Sequence, residues 1–267
     1  MFHGLASSPK EFGTLVHPLR RMGLVLETPI IPGYSHGTTD AGFRWQDWVD
    51  VAAQIVEDAA VSSPDPFVLG GLCTGAMLAV AVAARLKHPR LRGLALLSPL
   101  VAYNGWGLPK WYGLRRVAYA LGITRYFSMS EREPYGLKNE RMRQFVRQQM
   151  ASDAATVVGP ASVALTAVRE SERLSRQALK SLAAERRPML VLHAQEDEIC
   201  DVASVLNVFK PDEARLAVQL HVLQNSYHMI TADNDRQQVA QSLADFALTL
   251  NPAAPDQMPA AIQARAQ

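Results

Sequence analysis

Short apolar runs recur along the chain, and turn-forming residues bound each of them. The runs lie at 24–31 (LVLETPII), 66–72 (PFVLGGL), 91–100 (LRGLALLSPL), 187–194 (RPMLVLHA) and 218–224 (VQLHVLQ). Runs of this length, rich in Val, Leu and Ile, are typical of strands that are buried on both faces of a sheet. The pattern therefore predicts strands at these five places.

Helical periodicity fills several of the intervals between these runs. The helical stretches are 46–60, 74–87 and 236–250, and in the first of them Trp48 and Ile55 fall on one apolar face. Strands that alternate with helices, with no tight hairpin between them, favour the α/β class. We therefore predict a mostly parallel sheet that is covered by helices on both faces.

The alternation stops between residues 101 and 186, a stretch far longer than an ordinary connection. Helical patterns replace it, as at Met142, Phe145, Val146 and Met150. We expect a helical cap inserted between two strands of the core. The predicted organisation is core 1–100, cap 101–186, core 187–250 and a disordered tail at 251–267.

Aromatic residues are frequent in the expected cap. Trp106, Trp111, Tyr112 and Tyr119 are candidates for lining a substrate pocket beneath it. The alternative is that these rings pack the small core of the cap itself. The two roles do not exclude each other within one cap.

Composition and charge narrow the class of partner. The 267 residues carry a net charge of +2, from 27 basic and 25 acidic residues, without a basic stripe that would bind nucleic acid. No apolar run reaches the roughly 20 residues of a membrane helix, and no secretory signal is visible. Two distant cysteines fit a reducing compartment. We expect a cytoplasmic protein with no integral membrane segment.

No residue pattern points to a cofactor. No pair of His or Cys residues has the spacing of metal ligands, and no glycine-rich segment resembles a loop that cradles phosphates. The expectation is an enzyme with no cofactor and no metal.

The stretch 70–77, GGLCTGAM, joins a predicted strand to a predicted helix. Its G-x-C-x-G frame matches a strand-to-helix turn that usually carries a nucleophilic serine at the middle position. Such a turn projects the middle side chain above the sheet edge, and the positive end of the helix favours a thiolate there. Cys73 is therefore the candidate nucleophile, although free cysteine is also among the most buried residue types.

A nucleophile needs a base, and the base needs a carboxylate that orients it. His228, in the loop SYHMIT after the last predicted strand, is the candidate base. The other histidines lie in a turn (His3), in helix or loop contexts (His17, His36, His88) or inside strands (His193, His221). Asp197 follows the strand MLVL and is the candidate acid, whereas Glu196, Glu198 and Asp201 can each be a solvated loop charge.

An oxyanion hole completes the set. The backbone N–H of Thr74, just after the candidate nucleophile, is one expected donor, and that of Leu5 in FHGLASS is the other. The alternative for this N-terminal segment is a plain turn with a helix cap at Ser7 or Ser8.

These blocks follow one another as in a known family. FHGLASSPKEF, PIIPGYSHG, RWQDWVDVA, GLCTGAMLA, VLHAQEDEIC and SYHMIT resemble the carboxylesterase and monoacylglycerol-lipase branch of the α/β-hydrolases, over roughly residues 2–250. The order nucleophile, acid, base is also that of the α/β-hydrolases. The resemblance implies a mostly parallel α/β-hydrolase sheet with an inserted helical cap, and an acyl hydrolase acting through Cys73, Asp197 and His228.

The chain departs from that family in two ways. Cysteine stands in place of the nucleophilic serine, as it does in the similar dienelactone hydrolases and polyester synthases. In addition, the family has a central strand immediately before the His-Gly turn, whereas only Met1 and Phe2 precede His3 here. We therefore expect a further segment upstream of Met1.

A thiol nucleophile selects its substrate. Attack by cysteine forms a thioester, so the exchange is nearly balanced only when the donor is itself a thioester or an activated ester. We predict an esterase or thioesterase whose substrate is a small acyl ester or thioester. One form of this substrate is an acyl group carried on coenzyme A or on a carrier protein. An acyltransferase or cyclase on the same fold, and a non-catalytic binding protein, are the alternatives.

Overall fold

A computed structural model of the chain describes residues 1–38, 42–150, 161–210 and 217–251, with the side chain of residue 150 left out. Within these ranges the α-helices are α1 (Gly13–Arg21), α2 (Trp45–Ser62), α3 (Thr74–Leu86), α4 (Arg115–Leu121), α5 (Glu140–Met150), α6 (Leu165–Leu182), α7 (Val202–Phe209) and α8 (Arg236–Leu250). The strands are β1 (Phe67–Leu72), β2 (Leu91–Leu97), β3 (Ser128–Ser130), β4 (Ser162–Ala164), β5 (Met189–Ala194) and β6 (Val218–Leu223). Short 3-10 helices lie at Pro9–Phe12, Lys110–Leu114 and Thr124–Tyr126.

The main sheet is parallel and has the order β1-β2-β5-β6. Successive residues of its central strands face opposite sides: Leu94 and Leu96 join one buried cluster, whereas Ala95 and Leu97 join the other. Helices α2, α3 and α6 pack on the first side, and α1 and α8 pack on the second. This arrangement confirms the predicted parallel sheet with helices on both faces, and it brings the C-terminal ends of β1, β5 and β6 to one edge.

The prediction of a strand at 24–31 is wrong. Residues 24–31 form neither strand nor helix, although four of the five predicted strands are present as β1, β2, β5 and β6. A trough of about 700 Å³ lies between residues 23–29 and β1. The Met1 ammonium donates to the Glu27 carbonyl over 2.7 Å, but no ladder joins this segment to the sheet within the described ranges. Apolar composition alone therefore does not make a strand where no neighbouring strand lies within hydrogen-bond reach.

The segment after β2 contains the two-stranded antiparallel sheet of β3 and β4 together with α4 and α5. Helix α6, at the end of this segment, packs against α3 and α2 beside the main sheet. The cap boundaries at 101 and 186 stay a prediction. Of the expected disordered tail, residues 252–267 lie outside the described residues. No helix in the described ranges combines the length and the hydropathy that a membrane crossing requires.

Candidate active site

Cys73 occupies a strained turn between β1 and α3. Its backbone has φ 58° and ψ −122°, a combination that non-glycine residues rarely adopt. Two glycines make the turn possible, because a Cβ on Gly71 would lie 2.3 Å from the Gly75 carbonyl and one on Gly75 would lie 2.2 Å from the Phe2 carbonyl. The Cys73 side chain is half-buried at the start of α3. The turn thus places the thiol at the positive end of a helix.

His228 lies in the loop between β6 and α8, with its ring buried. Its Nδ1 donates to Oδ2 of Asp197 over 2.7 Å, since the carboxylate can only accept. Its backbone carbonyl accepts from Ser98 Oγ at 2.7 Å, so the loop is held at the end of β2. The other ring nitrogen, Nε2, is buried and has no hydrogen-bond partner among the described residues. Nε2 is therefore the ring nitrogen that is left to exchange a proton with a nucleophile or a ligand.

Asp197 is held on both carboxylate oxygens. Its Oδ1 accepts the backbone N–H groups of Ile199 and Cys200, at 2.8 and 2.9 Å, while Oδ2 accepts from His228. Burial by itself would raise the pKa of Asp197, but the two neighbouring histidines and the Cys200 N–H lower it below its ordinary value. Asp197 is therefore a carboxylate at neutral pH.

The charge state of His228 follows from the same neighbours. Burial lowers the pKa of its imidazole, but Asp197 and then Cys73 raise it, with the net result well above the ordinary value. Asp197 and Cys73 both favour the charged form of the imidazole, so both side chains lie near the ring. The structure brings together the three side chains that the sequence picked out as nucleophile, acid and base.

The N-terminal loop borders the same place. A Cβ built on Gly4 would lie 3.8 Å from the Cβ of Cys73. Neither the N–H of Leu5 nor that of Thr74 has a hydrogen-bond partner among the described residues, as expected for groups that wait for an oxyanion. Their role as oxyanion donors stays a prediction.

His3 fixes this loop from inside the protein. Its Nδ1 donates to the Gly4 carbonyl at 2.8 Å, and its Nε2 accepts from Ser35 Oγ at 2.7 Å. The Tyr34 hydroxyl donates to the His3 carbonyl at 2.7 Å. Burial lowers the pKa of His3 to about 4, so the ring is neutral and structural.

Sequence reasoning missed three residues that surround the candidate triad. Glu11 is buried and accepts the Gly4 N–H over 2.7 Å; Glu198 is buried and accepts the His228 N–H over 3.1 Å. Burial raises the pKa of each carboxyl to about 7. His193 Nε2 lies 3.5 Å from Asp197 Oδ2 and bonds the Cys200 carbonyl. Only the position of His193 near the end of a strand could have signalled this contact.

The four aromatic residues that we expected to line a substrate pocket beneath the cap lie in different surroundings. Trp106 is exposed, donates from Nε1 to the Glu196 carbonyl at 3.1 Å and packs edge-on against Tyr227. Trp111 is exposed, whereas Tyr112 is buried beneath the Arg115 guanidinium. Tyr119 is half-buried and lines a pocket beside α6. Contact of these rings with a substrate stays a prediction.

The arrangement suits nucleophilic catalysis: a thiol, an imidazole with an unoccupied nitrogen, a carboxylate that orients it, and two unpaired N–H groups lie at one sheet edge. Within the described residues, no group of three or more His, Cys, Asp or Glu side chains is arranged to hold a metal ion.

A comparison with models of known protein families finds a match over most of the chain. The model of the family described as serine aminopeptidase, S33, matches residues 1–235. No curated protein matches the chain significantly.

Many solved structures share the fold. A soluble variant of monoglyceride lipase from Saccharomyces cerevisiae superposes with a TM-score of 0.74 at 16% identity, covering 94% of this chain and 84% of that one. Monoacylglycerol lipase from Paleococcus ferrophilus gives 0.70 at 15% identity, with coverage of 94% and 93%. A thermophilic esterase from Thermogutta terrifontis gives 0.63 at 18% identity, with coverage of 93% and 88%. The superpositions show a common fold, and at identities this low they show the fold alone.

Proposed function

We propose, because the chain belongs to the serine aminopeptidase S33 family of α/β-hydrolase enzymes, that it hydrolyses acyl esters through a covalent acyl-cysteine intermediate. Cys73 is the nucleophile, His228 the base and Asp197 the residue that orients the base. The proposed substrates are thioesters or activated esters. The similar structures from S. cerevisiae and T. terrifontis are a monoglyceride lipase and an esterase, which favours ester chemistry.

One observation carries the proposal. Cys73 is held at φ 58° at the start of α3, and the buried imidazole of His228 is bonded to a carboxylate through Nδ1 over 2.7 Å while its Nε2 has no partner among the described residues. A cysteine that only fills the core gains no stability from a strained backbone or from a nearby imidazole nitrogen without a hydrogen-bond partner. Strain of this kind persists at functional sites because it presents the side chain to a ligand.

In the acylation step, the raised pKa of His228 favours the state in which the proton of the Cys73 thiol resides on His228 Nε2, and the Sγ thiolate attacks the carbonyl carbon of the substrate. The carbonyl π electrons move to oxygen, where the N–H groups of Leu5 and Thr74 stabilise the negative charge. Collapse of this intermediate breaks the bond to the leaving thiolate or alkoxide, which takes the proton from His228. The acyl group is then a thioester on Cys73.

In the deacylation step, His228 takes a proton from water as the water oxygen attacks the acyl carbon. The second oxyanion uses the same two donors. Its collapse releases the free acid and restores the Cys73 thiol with the proton from His228. Asp197 stabilises the imidazolium in both steps and stays ionised.

The nucleophile carries the preference for activated donors. An oxygen ester is lower in energy than the thioester on Cys73, so acylation by it runs uphill. A thioester donor exchanges one thioester for another and avoids that cost. We therefore expect higher kcat/KM for acyl thioesters and p-nitrophenyl esters than for triglyceride or simple alkyl esters.

Replacing the nucleophile tests the proposal. Cys73→Ala should lose turnover of a short acyl thioester by at least about 10³-fold, because residues of a triad act as a unit. Cys73→Ser keeps a nucleophile and should retain measurable activity. Intact mass of the parent after incubation with the thioester should show the added acyl group, and peptide mapping should place it on Cys73 rather than on the fully buried Cys200.

Unchanged turnover in Cys73→Ala would remove the nucleophile assignment. Binding without acylation in the parent would point to a binding protein instead. Product analysis separates hydrolysis from transfer: free acid is expected, whereas an acylated amine, thiol or alcohol would identify an acyltransferase.

A further inference from the structure

An arginine-rich pocket of about 530 Å³ lies beside the candidate active site. Its walls come from residues 100–104 after β2, from α4 and from α6. Among the described residues that line it, one is acidic, Glu172, and five are arginines. The five are Arg115, Arg116, Arg169, Arg173 and Arg176. We call this the arginine pocket.

Two of these arginines are neutralised locally. Arg115 pairs with Glu172 over 2.7 Å, and Arg173 pairs with Glu170 over 2.6 Å. The other three, Arg116, Arg169 and Arg176, have no carboxylate partner within the described part of the chain. The pocket therefore holds an excess of positive charge that an anion can neutralise.

A buried hydroxyl gives a second and independent sign of a ligand. Ser175, on α6, lines the pocket and is only 5% exposed. Its Oγ has no hydrogen-bond partner among the described residues. A buried hydroxyl without a partner costs free energy, so a bound polar group would satisfy it.

The arginine pocket is connected to the nucleophile through the chain that follows β2. Leu100, on the pocket wall, donates its N–H to the carbonyl of Cys73 over 3.3 Å. Tyr103, three residues later on the same wall, bonds Ser171 of α6 over 3.0 Å. A ligand that fills the pocket thus lies against the residues that pack on the Cys73 turn.

We propose that the arginine pocket binds the phosphate groups of the acyl donor, so that the substrate is a phosphate-bearing acyl thioester of the coenzyme A type. This inference rests on the proposed function, since it names the carrier of the acyl group. A guanidinium donates two parallel hydrogen bonds to a phosphate, and several unpaired arginines in one cavity match a group with several negative charges. A carboxylate would leave most of this charge unmatched.

Ligand binding tests the proposal without any turnover. Free coenzyme A, titrated calorimetrically, should bind the parent at least about tenfold more tightly than pantetheine, which lacks the phosphates. Arg116→Gln and Arg176→Gln should each weaken coenzyme A by about tenfold and leave pantetheine unchanged. Both side chains are exposed and have no carboxylate partner in the described ranges, so these variants should fold. Ser175→Ala should weaken coenzyme A several-fold.

Arg20→Gln is the matched control, because Arg20 is exposed on α1 and lies outside the arginine pocket. The proposal is overturned if pantetheine binds the parent as tightly as coenzyme A, or if Arg20→Gln weakens coenzyme A as much as the pocket variants do. Inorganic phosphate that bound as tightly as coenzyme A would also overturn it, since the pocket would then be an ion site only.

Turnover separates this proposal from the proposed function. The pocket variants should lose kcat/KM for an acyl-coenzyme A but keep it for the same acyl group on N-acetylcysteamine, a thioester without phosphate. If the parent turns over neither thioester yet binds coenzyme A through these arginines, the pocket assignment stands and the catalytic proposal fails. If both thioesters react equally in every variant, the pocket assignment fails and the catalytic proposal stands.

Discussion

The buried carboxyl of Glu11 links the N-terminal loop to the candidate triad. It accepts the Gly4 N–H over 2.7 Å, one residue before the expected oxyanion donor Leu5. Burial is the largest influence and raises the pKa of Glu11 to about 7 from an ordinary value of 4.5, although Gly4 and His228 act in the opposite direction. A group of this kind makes the stability of the folded state depend on pH.

The sign of that dependence can be worked out for Glu11. The folded state binds the proton more tightly than the unfolded state, so its contribution to stability is complete below pH 4.5 and is lost as pH rises through about 7. Glu11→Gln keeps an oxygen that can accept from Gly4 but does not titrate. Relative to the parent, its free energy of unfolding should rise by up to about 3 kcal/mol between pH 4.5 and 8.

Chemical denaturation across this pH range measures the difference between the two proteins. Glu57→Gln, at an exposed position on α2, is the control and should follow the parent at every pH. A Glu11→Gln curve that runs parallel to the parent would show that Glu11 does not titrate in this window.

At the scale of elements, the turn from β1 into α3 depends on close backbone approach. A Cβ on Gly75 would lie 2.2 Å from the Phe2 carbonyl and 2.3 Å from the His3 carbonyl. Both atoms are backbone, so neither can move aside as a flexible side chain would. The first turn of α3 and the segment that carries the expected oxyanion donor are therefore fitted to each other.

Gly75→Ala should lower the free energy of unfolding by about 1–3 kcal/mol, the usual range for overpacking, and should reduce activity as well. Gly113→Ala is the matched control, because a Cβ there meets nothing within 4 Å. Its stability should stay within about 0.5 kcal/mol of the parent. Equal denaturation midpoints for the two variants would contradict the close approach at Gly75.

At the scale of the whole molecule, β1 has one paired side and one largely open side. Phe67 N–H donates to the Arg90 carbonyl, and Cys73 N–H donates to the Leu97 carbonyl. The backbone N–H and C=O groups of the odd-numbered residues of β1 therefore point toward β2. On the other side, the bridge found among the described residues is that of Phe2 with Gly71, in which Phe2 accepts from Leu72 N–H and donates to the Gly70 carbonyl. Beyond this bridge the trough separates β1 from residues 23–29.

Hydrogen exchange should record this asymmetry along one strand. The Val68 amide faces the trough and has no backbone partner within the described ranges, whereas the Leu69 amide faces β2. We expect Val68 to exchange at least about 10²-fold faster than Leu69 in native-state measurements. Equal protection of the two amides would mean that a neighbour covers the open side in solution.

Local pattern was enough to predict the four strands of the main sheet and three of the helices that cover it. The apolar runs at 66–72, 91–100, 187–194 and 218–224 became strands because each has partners on the sheet, and the helices at 46–60, 74–87 and 236–250 lie within two residues of their predicted bounds. The turn at Cys73 was also predictable, since its glycines and its place between strand and helix are contiguous in sequence.

The same local signals could not show which distant groups meet. The run 24–31 has strand composition but has no ladder partner among the residues that the structure describes, and composition does not reveal the neighbours of a segment. Glu11 on Gly4 and the arginine pocket depend on packing between separate elements. Hydrophobic period is encoded by neighbours along the chain and determined the fold class. The G-x-C-x-G frame, and the positions of Asp197 and His228 after predicted strands, determined the candidate nucleophile, acid and base. Burial, unpaired polar atoms and clustered charge arise only when remote segments pack together, so the tertiary structure alone decided them.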